Sequence, residues 1–265
     1  MLIDIGVNLS SHRFNDDRHS VLQNALDAGV GKLVLTGTSI SESKETIDIC
    51  NVLSHDFPNM LHATVGIHPH NAEQFTRTVA ESLYDLAGKD VVVAIGETGL
   101  DFYRTLATPK DQQESFVGHI ELAKEIGLPL FLHERDAAKR QLEILSDYRE
   151  HISKAVIHCF TGDRATLHKY LDLDLYIGIT GWICDVRRGS DLQAIVADIP
   201  LNRLMIETDA PYLLPQNMIF KPKNKRNEPA FLPWIAKKIA NHRLESVNEI
   251  INKTSENAKM FFEIE

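Results

Sequence analysis

Val91-Val92-Val93-Ala94-Ile95-Gly96-Glu97 is an apolar run with no polar residue before the glycine that ends it. A strand with one wet face alternates apolar and polar residues. A run without alternation suits a strand buried on both faces, as in a parallel sheet covered by helices. The same unit recurs in both directions along the chain: residues 2–7, 32–37, 62–67, 128–132, 154–157, 175–180 and 203–207. That makes eight runs, each followed by a polar or glycine-containing corner and then a helix-length stretch. Any one of them alone is equally a helix fragment or a sandwich strand. Eight in alternation with helices predict a parallel α/β sheet, and the 265 residues match the roughly 250 that a (β/α)₈ barrel takes. A doubly wound open sheet is the competing architecture. It wants a glycine-rich phosphate fingerprint after its first strand, and Gly6-Val7-Asn8-Leu9-Ser10-Ser11-His12 does not supply one.

The intervals carry helix punctuation. Thr108 is placed to cap, Pro109 to open and Gly127 to end a helix whose apolar residues Phe116, Ile120, Ala123 and Ile126 fall on one face. A second helix is expected over 16–28, ending at Gly29, and Ser39 with Glu42 has the spacing of a capping box. No low-complexity linker divides the chain, so one barrel domain over 1–265 is expected, with the long loop at 210–226 near its mouth. No stretch is long and apolar enough for a membrane span. The apolar start lacks a basic flank, and the three widely spaced cysteines (Cys50, Cys159, Cys184) suggest reduced thiols. Cytoplasmic residence as a monomer is the expectation. The net charge of −9 argues against nonspecific coating of duplex DNA, but a bound cation and a few local bases can reverse the field inside one cleft.

In a (β/α)₈ barrel the residues at the C-terminal strand ends converge on the active site. Here those positions hold His68 and His70 after the third run, Glu97 after the fourth, His133 after the fifth, His158 after the sixth, and Glu207-Thr208-Asp209 at the eighth. A lone strand-end histidine is usually a hydrogen-bonded structural residue. A set of this kind, all just past buried strands, points to a divalent metal site. Glu97, His133, His158 and Asp209 are the candidate ligands. Glu97 has two oxygens with which to bridge two ions. Asp209 is also the candidate to orient a water and take its proton, and His68 to contact a phosphate or donate to the leaving oxygen.

The blocks 65–70 (VGIHPH), 94–101 (AIGETGLD), 157–162 (IHCFTG), 206–213 (IETDAPYL) and 226–229 (RNEP) resemble the signature blocks of the TatD family of metal-dependent deoxyribonucleases, nearly end to end. The chain is most similar to bacterial members of that family. The resemblance implies an amidohydrolase-like TIM barrel and a Mg²⁺-dependent 3′–5′ exonuclease acting on single-stranded DNA and RNA, with a role in repair of damaged DNA. It also implies metal ligands at Glu97, His133 and His158, with Asp209 close by. One departure matters. Most of the wider family carries a His-x-His pair at the end of the first strand, where this chain has Gly6 and Asn8. A weakened second metal site is expected, with preference moved from Zn²⁺ toward Mg²⁺ or Mn²⁺.

For substrate contacts, Arg187, Arg188, Lys221, Lys223, Lys225 and Arg226 follow strands and are candidates to hold phosphates. Phe102, Tyr103, Trp182 and Tyr212 are candidates to stack on bases. Two other functions compete: a metal-dependent amide or ester hydrolase of small substrates on the same barrel, and a non-catalytic barrel that binds nucleic acid or a partner. Gly6 and Asn8 speak against the first, and the intact Glu97, His133, His158 and Asp209 set against the second.

Overall fold

The computed structural model describes residues 1–265. Eight parallel strands follow one another around a single sheet in sequence order: β1 (Leu2–Val7), β2 (Val30–Leu35), β3 (Leu61–Val65), β4 (Val92–Asp101), β5 (Leu130–Arg135), β6 (Ala155–Ile157), β7 (Tyr176–Ile179) and β8 (Leu204–Ile206). The ring closes where β1 meets the segment after β8. There Asp209 N–H donates to Gly6 O at 2.9 Å and Asn8 N–H to Ala210 O at 2.8 Å. The fold is the α/β barrel that the eight runs predict. Every residue of β1, β2 and β4 is buried, and burial on both faces is why these runs carry no polar alternation.

Nine helices fill the connections: α1 (Arg18–Asp27), α2 (Ile40–Leu53), α3 (Arg77–Ala87), α4 (Pro109–Ile126), α5 (Ala138–Asp147), α6 (Arg164–Asp172), α7 (Ser190–Ile195), α8 (Leu232–Ala240) and α9 (Val247–Phe262). α4 begins and ends as its sequence says. Thr108 Oγ1 accepts the Asp111 N–H at 3.1 Å, and Gly127 takes φ +84°. At α2 only half of the expected capping box forms. Ser39 Oγ accepts the Glu42 N–H at 3.2 Å, while Glu42 lines the pocket at the barrel mouth. A complete box occurs instead at α9, between Ser246 and Glu249.

β4 runs past the point where its apolar run stops. Gly96 and Gly99 take φ +145° and +133°, and the β4–β5 register shifts between Ile95 and Thr98. The glycines therefore bend the strand rather than end it. Inside the barrel, Ile3, Ile5, Val34, Val93, Phe131, Val156 and Met205 form one apolar layer, joined by Phe261 and Phe262 of α9. Each such side chain contributes about 1.5–3 kcal/mol on burial. Strand side chains alternate in direction, so two residues beyond Phe131, Val156 and Met205 the same inward face presents His133, His158 and Glu207. The apolar layer is thus the floor on which the polar site stands. No helix is long and apolar enough to cross a membrane, and all three cysteines are free thiols.

Candidate active site

The pocket at the C-terminal strand ends is a cavity of about 790 Å³ that His68, Glu97, His133, His158 and Asp209 help to line. Glu97 is its centre. Its Oε1 lies 2.8 Å from His133 Nδ1, 2.9 Å from His158 Nε2 and 3.4 Å from His68 Nε2. Ligand atoms of His68, Glu97 and His133 all fall within 4.8 Å of one another, a spacing that can hold a metal ion. Burial would raise the Glu97 pKa, but the His158 and His68 imidazoles hold it well below the usual carboxylate range. Conversely, burial opposes charge on His158, yet Glu97 and Glu207 push its pKa well above the ordinary value. His133 is raised as well, by Asp101 and Glu97 against burial. The cavity is therefore a set of carboxylates sharing imidazolium protons, which a cation of the same charge can replace.

Contacts sort the imidazoles by the nitrogen each turns to Glu97. His158 Nδ1 faces Glu207 Oε2 at 3.3 Å. That carboxylate needs a donor, so a proton belongs on Nδ1; Nε2 meets Glu97 Oε1 at 2.9 Å through a second proton, the one a metal ion would displace. His133 turns Nδ1 to Glu97 Oε1 at 2.8 Å, while its buried Nε2 has no hydrogen-bond partner and lies 3.4 Å from Asp101 Oδ2. His68 is the reverse. Its Nδ1 accepts the His70 N–H at 3.0 Å, so the neutral ring carries its proton on Nε2. Burial is the main cause that keeps its pKa low and the ring neutral. His133 and His158 each turn to Glu97 a nitrogen whose proton a metal ion could replace, the neutral His68 turns an Nε2–H to it, and His68, Glu97 and His133 are the group whose ligand atoms are spaced for an ion.

Asp209 enters the pocket from a left-handed backbone, φ +54°, a conformation that costs about 1–2 kcal/mol for a residue with a Cβ. The Gly6 carbonyl, through the Asp209 N–H, holds it there. Asn8 Nδ2 donates to Asp209 Oδ1 at 2.8 Å. Burial pushes the Asp209 carboxyl up to about 7, with His158 opposing and Glu97 and Glu207 adding to the rise.

Two buried carboxylates that strand-end reading does not reach, Asp4 and Asp101, and a third that it names without a role, Glu207, support these residues. Glu207 is fully buried; besides facing His158, its Oε1 accepts the Cys159 N–H at 2.6 Å. Asp101 Oδ2 lies 2.8 Å from His70 Nε2. Asp4, inside β1, accepts the Thr208 N–H at 2.8 Å and its hydroxyl at 2.5 Å, and so sets the backbone just before Asp209. Burial pushes Asp4 up to about 8. The sequence signal for Asp4 is a charge inside an otherwise apolar strand. The signals for Glu207 and Asp101 are the acidic pair of the eighth run and the end of the fourth block.

Gly6 has a steric reason. A Cβ there would overlap Glu207 Oε2, and one on Gly178 would come within 2.8 Å of Glu207 Oε1. The Glu207 carboxylate occupies the space where a first-strand imidazole would start.

Of the expected substrate contacts, Arg226 is corrected. It is buried and paired with Asp17 Oδ2 at 2.6 Å and Glu228 Oε1 at 2.8 Å, so it fastens the loop after β8 and holds no phosphate. Arg188 is paired with Asp185 at 2.9 Å and stacked on Trp182 at 4.3 Å, and Lys221 donates to Gln216. Phe102 packs against the core. Trp182 and Tyr212 line the cavity, and Tyr103 is 60% exposed.

The family model described as TatD related DNase matches residues 3–263. The chain is 43% identical over 263 residues to the 3′-5′ ssDNA/RNA exonuclease TatD of Pectobacterium carotovorum, covering 99% of this chain and 100% of that protein. It is 44% identical, with the same coverage, to the protein of that name from Yersinia pseudotuberculosis. Among solved structures, it is similar to YjjV, a TatD homologue from Escherichia coli, with TM-score 0.89 and 26% identity over 100% of this chain and 98% of that one. A hydrolase TatD family protein from Entamoeba histolytica superposes with TM-score 0.88 and 26% identity, over 98% of this chain and 97% of that one.

Proposed function

Because the chain belongs to the TatD-related DNase family, we propose that it is a metal-dependent 3′–5′ exonuclease that hydrolyses phosphodiester bonds of single-stranded DNA and RNA. The observation that carries this reading is the convergence of three imidazoles on one buried carboxylate oxygen of Glu97, in a chain related to such exonucleases along its whole length. A divalent cation held there lowers the pKa of a coordinated water and relieves charge on a phosphoryl oxygen.

Glu97, His133 through Nδ1 and His158 through Nε2 would hold the ion. Asp209 is the base: its carboxylate stands in the same pocket, placed to orient a water and take its proton. Asn8 keeps one Asp209 oxygen engaged and turns the other to the pocket. His68 presents an Nε2–H, suited to the scissile phosphate or the leaving oxygen. With Gly6 offering no donor, Mg²⁺ is the ion this reading favours, with Mn²⁺ or Zn²⁺ as substitutes. The three free thiols suit a reducing, cytoplasmic setting.

The test is digestion of a 3′-labelled single strand and its 5′-labelled twin with Mg²⁺ and then with EDTA, beside a panel of small esters and amides. Stepwise shortening of the 5′-labelled strand, abolished by EDTA, is expected. Turnover of the small esters or amides with both oligonucleotides left whole would replace this reading by the small-substrate hydrolase. Oligonucleotides with abasic or oxidised 3′ ends extend the same assay to repair.

A further inference from the structure

We propose that Arg135 and Arg104 form a binding subsite for the phosphodiester next to the scissile one, so that the protein grips a single strand by two consecutive phosphates. This rests on the nuclease reading above.

Nearly every arginine of this acidic chain is already engaged by a carboxylate or a carbonyl. Arg104, Arg135 and Arg187 are the exceptions, with no side-chain hydrogen bond or ion pair. Arg104 and Arg135 line the active-site cavity, to which no lysine contributes. Their neighbours there include Glu42, Glu134 and Asp209. A free guanidinium among carboxylates, answered by none of them, is placed for an anion that comes from outside.

The position of Arg135 follows from the strand. It is two residues beyond His133 on β5, on the same inward face and about 6.6 Å further toward the mouth. Its guanidinium lies 4.0 Å from the centroid of the Tyr103 ring. The ring holds the guanidinium in place, and with no hydrogen bond of their own its N–H groups remain free for a phosphate.

The backbone beneath is fixed as well. Asp101 Oδ1 accepts the N–H groups of Tyr103 at 3.0 Å and of Arg104 at 2.9 Å, while Asp101 Oδ2 faces His70 and His133. One buried carboxylate thus ties the phosphate-gripping turn to an imidazole of the metal site. The subsite and the reacting centre are held in register by a single side chain.

The experiment measures binding without turnover. Fluorescence anisotropy in EDTA compares a 5′-labelled oligodeoxynucleotide with the same strand carrying a neutral methylphosphonate at the second linkage from its 3′ end. The wild type should bind the modified strand about tenfold more weakly, the scale of a charge-assisted contact. Arg104→Ala/Arg135→Ala should bind the unmodified strand about tenfold more weakly and no longer distinguish the two. Its slope of log affinity against log salt should be shallower by about 0.7, one phosphate on a single strand. A wild type indifferent to the methylphosphonate overturns the subsite, and so does a double variant that keeps the full penalty. The first comparison needs no variant, so a misfolded substitution cannot hide the answer. Metal-loaded wild type that leaves every oligonucleotide intact would remove the nuclease reading, while the binding comparison would still judge the subsite.

Discussion

Glu207→Gln isolates a single contact in the site. The side chain keeps its shape, which the packing demands, because the carboxylate fits between Gly6 and Gly178 with no room to spare. Its charge and one acceptor are lost. As a carboxylate, Glu207 accepts from Cys159 N–H at 2.6 Å and faces His158 Nδ1 at 3.3 Å. As an amide it has one oxygen and one NH₂, so it keeps one of these and presents the wrong atom to the other. If the oxygen stays on Cys159, the NH₂ faces His158 Nδ1 and drives the imidazole proton to Nε2, the nitrogen meant for the metal. Removing such an orienting carboxylate costs about 10–100-fold in metal affinity or activity, or about 1.4–2.7 kcal/mol. Calorimetric titration of apo protein with Mn²⁺ reads the affinity, and turnover against Mn²⁺ concentration reads it again. Thermal stability in EDTA should fall, because the substitution removes one partner of the buried pair with His158, so the affinity is read well below the variant's own Tm in EDTA. That separates loss of the site from loss of the fold. An unchanged metal affinity in Glu207→Gln would falsify the tautomer assignment and with it the role given to His158.

Three further outcomes follow from the same geometry. Asp209→Asn, which keeps the shape but cannot take a proton, should lower kcat by about 10²–10⁴-fold with little change in KM, measured on a 5′-labelled single strand; near-normal kcat would remove Asp209 as the base. Gly6→Ala places a methyl against Glu207 Oε2 and should cost about 1–3 kcal/mol of overpacking, seen as a lowered denaturation midpoint; no loss would mean that Glu207 moves freely. In EDTA, stability should fall as the pH rises. Asp209 and Asp4 have folded values of about 7 and about 8 against an ordinary 3.8. Their contribution is complete below that ordinary value and is lost as pH passes through the raised ones. His158 and His133 are raised above 6.5, so their contribution too is complete below 6.5 and then lost. Melting of the apo protein between about pH 6 and about pH 9 should show a falling Tm, and added metal should restore more at the alkaline end, where fewer protons compete. A Tm that rises over that window would contradict the assigned directions.

The barrel was legible because its cause is local. A strand buried on both faces must be apolar along its length, and eight such runs announce themselves. The side chains brought to the pocket were legible for a related reason: parallel strands end on the same rim, so strand-end position alone gathers Glu97, His133, His158 and Asp209. What failed to show were partnerships across the chain. Asp4 and Thr208 are 204 positions apart, and Arg226 and Asp17 are 209 apart. Nothing near either residue in the sequence tells a paired charge from a free one. Arg226 therefore read as part of a basic strip with Lys223 and Lys225, although it is a buried tie. Arg135 went unnoticed because its strand looked complete at His133. The extra length of β4 was hidden too, since a glycine that bends a strand and one that ends it are the same letter.

Packing explains the first-strand glycine. Glu207 follows β8, and its carboxylate lies between Gly6 of the adjoining β1 and Gly178 of β7. A side chain at position 6 would have to share that space with a buried carboxylate already committed to His158 and Cys159. A side chain there would require the Glu207 carboxylate to move away from His158 and Cys159. Asn8, at the position of the second missing imidazole, is engaged with Asp209. The two departures from the family pattern thus have one effect. They turn the first strand toward holding Asp209 and clearing room for Glu207, so that on the function proposed here the ion would rely on donors from the later strands.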